Sequence, residues 1–357
     1  MGEAMIPLSA GAREYTALAT KTFSLKGSNT QTLETAVCAY HGCRHALAFT
    51  TPEAATAAAL FATGVRHGTA VITTALAPLH HYNALARTGA RLHYCDIGLE
   101  GNLHANALAT ILGPENKTVC SAHFEGIRAL PPALGEGVQL LEEITASLAP
   151  AAVNGVSIWS LESVMPEGTQ PTGFLLTDSN EIARLALQWR RGGYKQGTLW
   201  NYDIAFPGSA SELDRLTAEI ALHQLRKLDI LCEQRRENAS RLDALLQESR
   251  LFDLPKRRPE DVLSTYPLLL TPQLYCPKED IVVGIQSHGV ETTVSRKPIY
   301  KTTAFKEEKT RLPVTEDFYK ALLQLPCHHQ LTSDELRMIA EAVREETEKY
   351  AYRGCRF

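Results

Sequence analysis

The sequence predicts an α/β protein in which a large domain, built on a mostly parallel sheet, precedes a smaller α+β domain. Three observations predict it. Between residues 45 and 177, short apolar runs alternate with stretches of helical spacing. Glycines at 64 and 89 close the first two helical stretches, as helix-ending glycines do. After about residue 235 the pattern changes to Pro-bounded strand candidates and a terminal amphipathic segment.

In order along the chain, HALAFT at 45 to 50 is a strand that hands over to TTPEAATAAALFATG, an Ala-rich helix. AVITT at 70 to 74 is the next strand, HHYNALARTG the following helix and RLHYCDI another strand. KTVCSAHF at 117 to 124 and VQLLEEI at 138 to 144 continue the series, and GVSIWSL and TGFLLT flank a turn with Pro166 and Gly168. Such alternation predicts a sheet covered on both faces, with ligands at the carboxyl ends of its strands. From 211 to about 248, apolar residues hold helical spacing for nearly forty residues, which predicts one long helix shared by two domains. Beyond it TYPLLLTP, IVVGIQ and VETTV are strand candidates, and TSDELRMIAEAVREETEKY is the closing helix. The divisions expected are an N-terminal arm at 1–30, the large domain at 31–235 and the small domain at 236–357.

A length of 357 residues accommodates two domains of ordinary size. The 36 Lys and Arg against 40 Asp and Glu leave a net charge of -4 with the basic residues dispersed, which excludes the electrostatic footprint of a nucleic-acid binder. No apolar run approaches a membrane span, and MGEAMIPLSAGAREY lacks the basic start and apolar core of a signal peptide, so a cytoplasmic location is expected. The eight dispersed cysteines, without a CxxC pair, are expected as reduced thiols.

Six segments, in order and spacing, carry a resemblance: LETAVCAYHGCRHALAFTTPEAAT, VITTALAPLHHYNALARTGARLHYCDI, AHFEG, ELDRLTAEIALHQLRKLD with QRRENASRLDALL, SHGVETTVSRKPIYKTTAF, and LPCHHQLTSDELRMI. Over nearly the whole chain the sequence resembles the DegT/StrS-type sugar aminotransferases, which have the fold of type I pyridoxal-phosphate (PLP) enzymes. The resemblance implies PLP as family cofactor, a nucleotide-linked sugar as ligand, a role in amino sugar biosynthesis and a homodimer.

It also assigns positions, and four of them have changed. The lysine that forms a Schiff base with PLP falls at Glu162, and the chain holds no lysine between Lys117 and Lys195. The small residue, Gly and Thr or Ser that bind the cofactor phosphate at a helix N-terminus fall at Thr51, Pro52 and Glu53. Pro52 lacks an N–H and Glu53 is anionic, while Thr-Pro-Glu is equally a good helix start in its own right. The aspartate facing the pyridine nitrogen falls at Glu143, and the ring-stacking aromatic at Leu76, Ala77, Pro78, Leu79. No covalently held PLP is expected.

The expectation is a family member inactive as a transaminase, serving as a sugar-nucleotide binder or partner subunit. The alternative is an enzyme on a nucleotide-linked keto sugar, using PLP or pyridoxamine phosphate (PMP) without a lysine, or acid/base or metal chemistry. The candidate catalytic residues are Glu162, Glu143, His81 and His123, with His80 and Glu125 in the same remodelled pocket and no assigned metal ligand. Two carboxylates sharing a cleft predict a raised pKa for one of them. His328 and His329, Arg190 and Arg191, and Trp159 and Trp189 are expected to be structural, with Trp200 the tryptophan best placed for ligand contact.

Overall fold

The structure, a computed structural model, describes residues 5–9, 30–115, 118–129, 134, 137–195, 203–247, 249–274, 276–294 and 296–351. Most of the expected arm, Lys117, Trp200 and Cys355 lie outside the described residues.

The large sheet is assembled from α1 (Thr30–His41), β1 (His45–Phe49), α2 (Pro52–Ala62), β2 (Ala70–Thr73), α3 (Leu79–Thr88), β3 (Arg91–Tyr94), α4 (Ala105–Ile111), β4 (Thr118–Ala122), β5 (Gln139–Glu143), β6 (Val156–Ser160), β7 (Gly173–Thr177) and α5 (Asn180–Arg190). Its seven strands lie in the order β1-β7-β6-β5-β4-β2-β3. Pairing is parallel from β3 to β6, while β7 runs antiparallel to both β1 and β6. β2, β4, β6 and β7 are buried at every position, as strands covered on both faces must be.

The short pair β8 (Tyr194–Lys195) and β9 (Asp203–Ile204) leads to α6 (Arg215–Leu225) and α7 (Leu228–Leu246). The segment expected as one helix of nearly forty residues is therefore two, broken at Arg226 and Lys227. Lys227 N–H bonds the Gln224 carbonyl, a tight closure that lets Leu225 and Leu228 bury in the same core. Leu228, Leu231 and Cys232 of α7 pack under the large sheet, and Ala239, Leu242 and Leu246 pack in the core of the following region.

That region holds β10 (Phe252–Asp253), β11 (Tyr266–Leu270), α8 (Lys278–Ser287), β12 (Thr293–Val294), α9 (Pro313–Ala321), β13 (Leu322–Leu325) and α10 (Ser333–Lys349). Its strands form an antiparallel sheet in the order β10-β11-β13-β12. IVVGIQ, expected as a strand, is the body of α8. Ile281, Val282 and Ile285 are buried at helical spacing behind an acidic first turn, and this periodicity overrides the β-branched run. Asp96, just past β3, accepts from Val314 N–H, Thr315 N–H and Thr315 Oγ1, tying the large sheet to the start of α9.

Candidate functional site

The parallel strands β2, β4, β5 and β6 end on one side of the sheet, so the residues that follow them converge there: Pro78–His81, His123–Gly126, Glu143–Ala146 and Glu162–Ser163. A cavity of about 510 Å³ opens at this edge, with His80, Glu125, Glu162, Arg235 and Arg296 on its walls and Ser264, Thr265 and Gln324 closing it from the smaller sheet.

Glu162 opens a single 3-10 turn after β6, its N–H donated to Ser160 Oγ at 2.9 Å and its side chain exposed to the cavity. Glu143, the last residue of β5, lies beneath the cavity floor with 1% of its side chain exposed. Its Oε2 meets His80 Nε2 at 3.1 Å, and its Oε1 accepts Thr145 N–H at 3.2 Å. Burial pushes the Glu143 carboxyl up, but the His80 charge and hydrogen bond, with His81 and Thr145, outweigh it and hold the carboxyl below its ordinary value. Burial likewise pushes His80 down, and the Glu143 carboxylate, with Glu162 nearby, reverses this and holds the imidazole above its ordinary value. The expectation that crowding between two carboxylates would raise one of them is corrected for Glu143: its neighbour is an imidazole, and the shift runs the other way.

The histidines divide by helical phase. His81, Tyr82, Ala84 and Leu85 form the buried face of α3. His81 Nε2 meets Thr73 Oγ1 at 3.0 Å inside the core, and burial takes its pKa to about 4, so it is neutral and outside the cavity. His80, one residue earlier, faces the cavity. His123 is buried beside Glu142, its Nε2 3.5 Å from Oε1, next to a void of about 10 Å³ that is too small for a ligand. Of the four catalytic candidates, Glu162 lines the cavity, Glu143 reaches it through His80, and His81 and His123 do not reach it.

Thr51, Pro52 and Glu53 begin α2 just after β1, whose last residue, Phe49, and the last residue of β6, Ser160, both pair with Gly173. Thr51 Oγ1 accepts Ala54 N–H at 3.1 Å, Pro52 takes the first helical position, and Glu53 pairs with Arg87 and accepts from Asn83 Nδ2. Thr51 and Glu53 line a separate cavity of about 590 Å³ between α2, α3 and the end of α5, which shares no lining residue with the first. Gly173 of β7 allows this helix start to sit close: a Cβ there would lie 2.5 Å from the Thr51 carbonyl oxygen.

Two arginines absent from the sequence-derived set belong to the site. Arg235, in the amphipathic stretch that reads as a solvated helix, is 1% exposed and donates to the carbonyls of Leu263 and Ser163. Arg296 stands 3.5 Å from Glu125 Oε1, while Glu125 Oε2 accepts from Ser264 Oγ and Thr265 Oγ1. Glu125 holds a left-handed φ of 46°, the kind of backbone strain that clusters at ligand sites. The remaining candidates are structural. Arg190 is buried on Glu34 and the Ala48 carbonyl, Trp159 donates to the Ser147 carbonyl within the core, and His328 bonds the Pro7 carbonyl. Lys195 is exposed in β8 and lines neither cavity. Among the described residues no group of three or more His, Cys, Asp or Glu side chains is placed to hold a metal ion, and no helix is long and apolar enough to cross a membrane.

Compared with known proteins, residues 11–133 and 165–344 match the DegT/DnrJ/EryC1/StrS aminotransferase family, and the interruption contains both Glu143 and Glu162. A Campylobacter jejuni UDP-4-amino-4,6-dideoxy-N-acetyl-beta-L-altrosamine transaminase is 26% identical, with 92% of each chain covered. The structure of a Helicobacter pylori aminotransferase involved in the biosynthesis of pseudoaminic acid superposes with a TM-score of 0.83 at 22% identity, covering 97% of this chain and 100% of that one. A Bacillus subtilis structure, NtdA with bound cofactor PMP, gives 0.80 at 20% identity, covering 94% and 81%.

The family is PLP-dependent, but the residues present here do not fit that cofactor. Among the described residues no lysine lines the cavity at the β6 end, and both oxygens of Glu143 are engaged, by His80 and Thr145. At the α2 start the Thr51 hydroxyl, the proline and the Glu53 carboxylate occupy the place of an anion site.

Proposed function

Because the chain belongs to the DegT/DnrJ/EryC1/StrS aminotransferase family, we propose that it binds a nucleotide-linked sugar in the cavity at the strand ends and does not transaminate through lysine-held PLP. The observation that carries this reading is Glu162. It stands at the end of β6, where the resemblance sets the Schiff-base lysine, in a cavity that no lysine lines among the described residues. A carboxylate cannot form an imine. Arg296, 48% exposed on the cavity wall, suits the phosphates of a nucleotide sugar, which guanidinium groups bind through charge-assisted hydrogen bonds.

The test has two arms. Titration calorimetry with a UDP-linked 4-keto sugar gives saturable binding that Arg296→Ala weakens. Incubation with excess PLP and borohydride leaves the mass of the chain unchanged. A stoichiometric reduced adduct on any lysine would overturn the second half of the reading, and Lys195 is the first to inspect.

The protein acts in this reading as a binder or as the partner subunit of an active transaminase, and on its own as a homodimer. Leu216 on α6 and Ile230 on α7, 51% and 63% exposed, support a covered helical face. A sedimentation mass of a single chain at micromolar concentration counts against it.

A further inference from the structure

We infer that His80 and Glu143 form a proton-transfer dyad which, with Glu162 as the second proton carrier, enolises a keto sugar held in the cavity. The inference rests on the proposed binding of a nucleotide-linked sugar and adds a reaction to it.

Three observations carry it. The buried Glu143 carboxylate stands behind an imidazole that faces the cavity, an orienting arrangement in which the acid fixes the ring and stabilises its charge. Nε2 is committed to Glu143, which leaves Nδ1 as the ring nitrogen that can exchange a proton with a ligand. Glu162 lines the same cavity from another strand end, exposed, with its backbone pinned by Ser160. An imidazolium and a carboxylate on two walls of one pocket are the acid and the base that proton abstraction beside a carbonyl requires.

The step balances without an oxidant or a cofactor. The Glu162 carboxylate takes a proton from the carbon next to the carbonyl, and the C–H electron pair becomes the C=C bond of the enol. The carbonyl π pair moves to oxygen, which takes the proton from His80 Nδ1. His80 is left neutral, still donating Nε2–H to Glu143. Reversal returns the oxygen-bound proton to His80 and the Glu162 proton, after exchange with solvent, to the same face of the carbon, which regenerates the sugar with solvent hydrogen at that position.

The experiment uses a UDP-linked 4-keto-6-deoxyhexose in D₂O, with deuterium at the carbons next to the carbonyl read by proton NMR and mass. Incorporation well above the protein-free rate is expected. It falls on the order of 100-fold or more in His80→Gln, which keeps a donor to Glu143 but no proton to exchange, and in Glu162→Gln. Calorimetric affinity in both variants stays within a few-fold of the parent. Binding without incorporation above background overturns the dyad and leaves the binding proposal standing, as does incorporation undiminished in His80→Gln. Absence of binding overturns both.

A second measurement needs no variant. Incorporation by the unmodified protein is expected to fall as pH rises and His80, which the Glu143 carboxylate holds protonated above its ordinary range, loses its proton. The other titratable or charged groups acting on His80 are Glu162, His81 and Arg296. Incorporation that does not fall as the imidazole loses its proton overturns the assignment.

Discussion

At the start of α2, beside the cavity of about 590 Å³, the chain satisfies its own helix: a hydroxyl caps an N–H, a proline replaces another, and Glu53 turns outward to Arg87. At the ends of β5 and β6, beside the cavity of about 510 Å³, it leaves charge facing the opening: His80 backed by a buried carboxylate, an exposed Glu162, and Arg296. The first arrangement uses up the anion-binding capacity of a helix N-terminus locally. The second holds an imidazole and carboxylates in reserve at a price in desolvation, which folds retain where a ligand or a proton must be handled. The contrast teaches that a helix start can satisfy its own donors while a cavity at neighbouring strand ends keeps charged groups open to it.

The sharpest way to break this contrast is to remove one member of the buried pair. His80→Ala leaves Glu143 buried without its imidazole and is expected to cost about 3–5 kcal/mol near neutral pH in a urea unfolding curve. Glu162→Ala, at an exposed site, is expected to change stability by no more than about 0.5 kcal/mol. Equal effects would show that the two carboxylates sit in similar surroundings, contrary to their burial.

Acid comes next. His41 and His81 are both taken from 6.5 to about 4 by burial. A histidine depressed on folding binds its proton more weakly in the native state, so stability is lost as pH falls from 6.5 toward 4, by up to roughly 3 kcal/mol for each group. The His80–Glu143 pair works differently. His80 is raised, so its contribution is complete below 6.5 and fades as pH climbs through its folded value. Glu143 is lowered, so its contribution is complete above 4.5 and fades as pH drops through its folded value. Urea midpoints at neutral pH and near pH 4.5 should therefore fall with acidification, and His81→Gln should flatten the fall.

A smaller effect tests whether lysine alone rebuilds the cofactor site. Glu162→Lys is expected to give no lysine-linked absorbance band in micromolar PLP, because Pro52 and Glu53 remain as they are. A phosphate of charge about -2 at ~4 Å from a carboxylate meets about 2 kcal/mol of repulsion even in water. The companion variant adding Pro52→Gly and Glu53→Thr should bind more tightly. Micromolar binding by the single variant would remove Thr51, Pro52 and Glu53 from the phosphate's place.

The smallest effects fall at the self-satisfied helix start. Thr51→Ala loses a cap and should cost about 1 kcal/mol. Glu53→Ala loses a pair to Arg87, whose side chain is 73% exposed, and should cost less than about 1 kcal/mol. Thermal unfolding of both variants checks the order.

The element order of the large sheet was legible because parallel, doubly covered strands are short continuous apolar runs, and AVIT, TVCSA and GFLLT stand out from the polar segments around them. The choice between His80 and His81 was legible in principle. Helical phase from Tyr82, Ala84 and Leu85 sets His81 in the core and turns His80 away from it. Arg235 was not legible, since a lone arginine among the charges of α7 carries no mark of the three backbone carbonyls it meets, those of Ser163, Leu263 and Ser264.

By itself the sequence determined what depends on neighbours along the chain: the Thr51-Pro52 helix start, the Gly89 stop, the alternation that makes an α/β sheet, and the absence of a lysine between 117 and 195. Tertiary structure decided what depends on residues far apart. It set His80 against Glu143 across 63 positions, broke the long amphipathic stretch at Arg226 and Lys227, and made IVVGIQ a helix. The physical reason is that caps and turns close within a few residues, whereas the partner of a buried charge and the face a helix presents are fixed by which surfaces pack together.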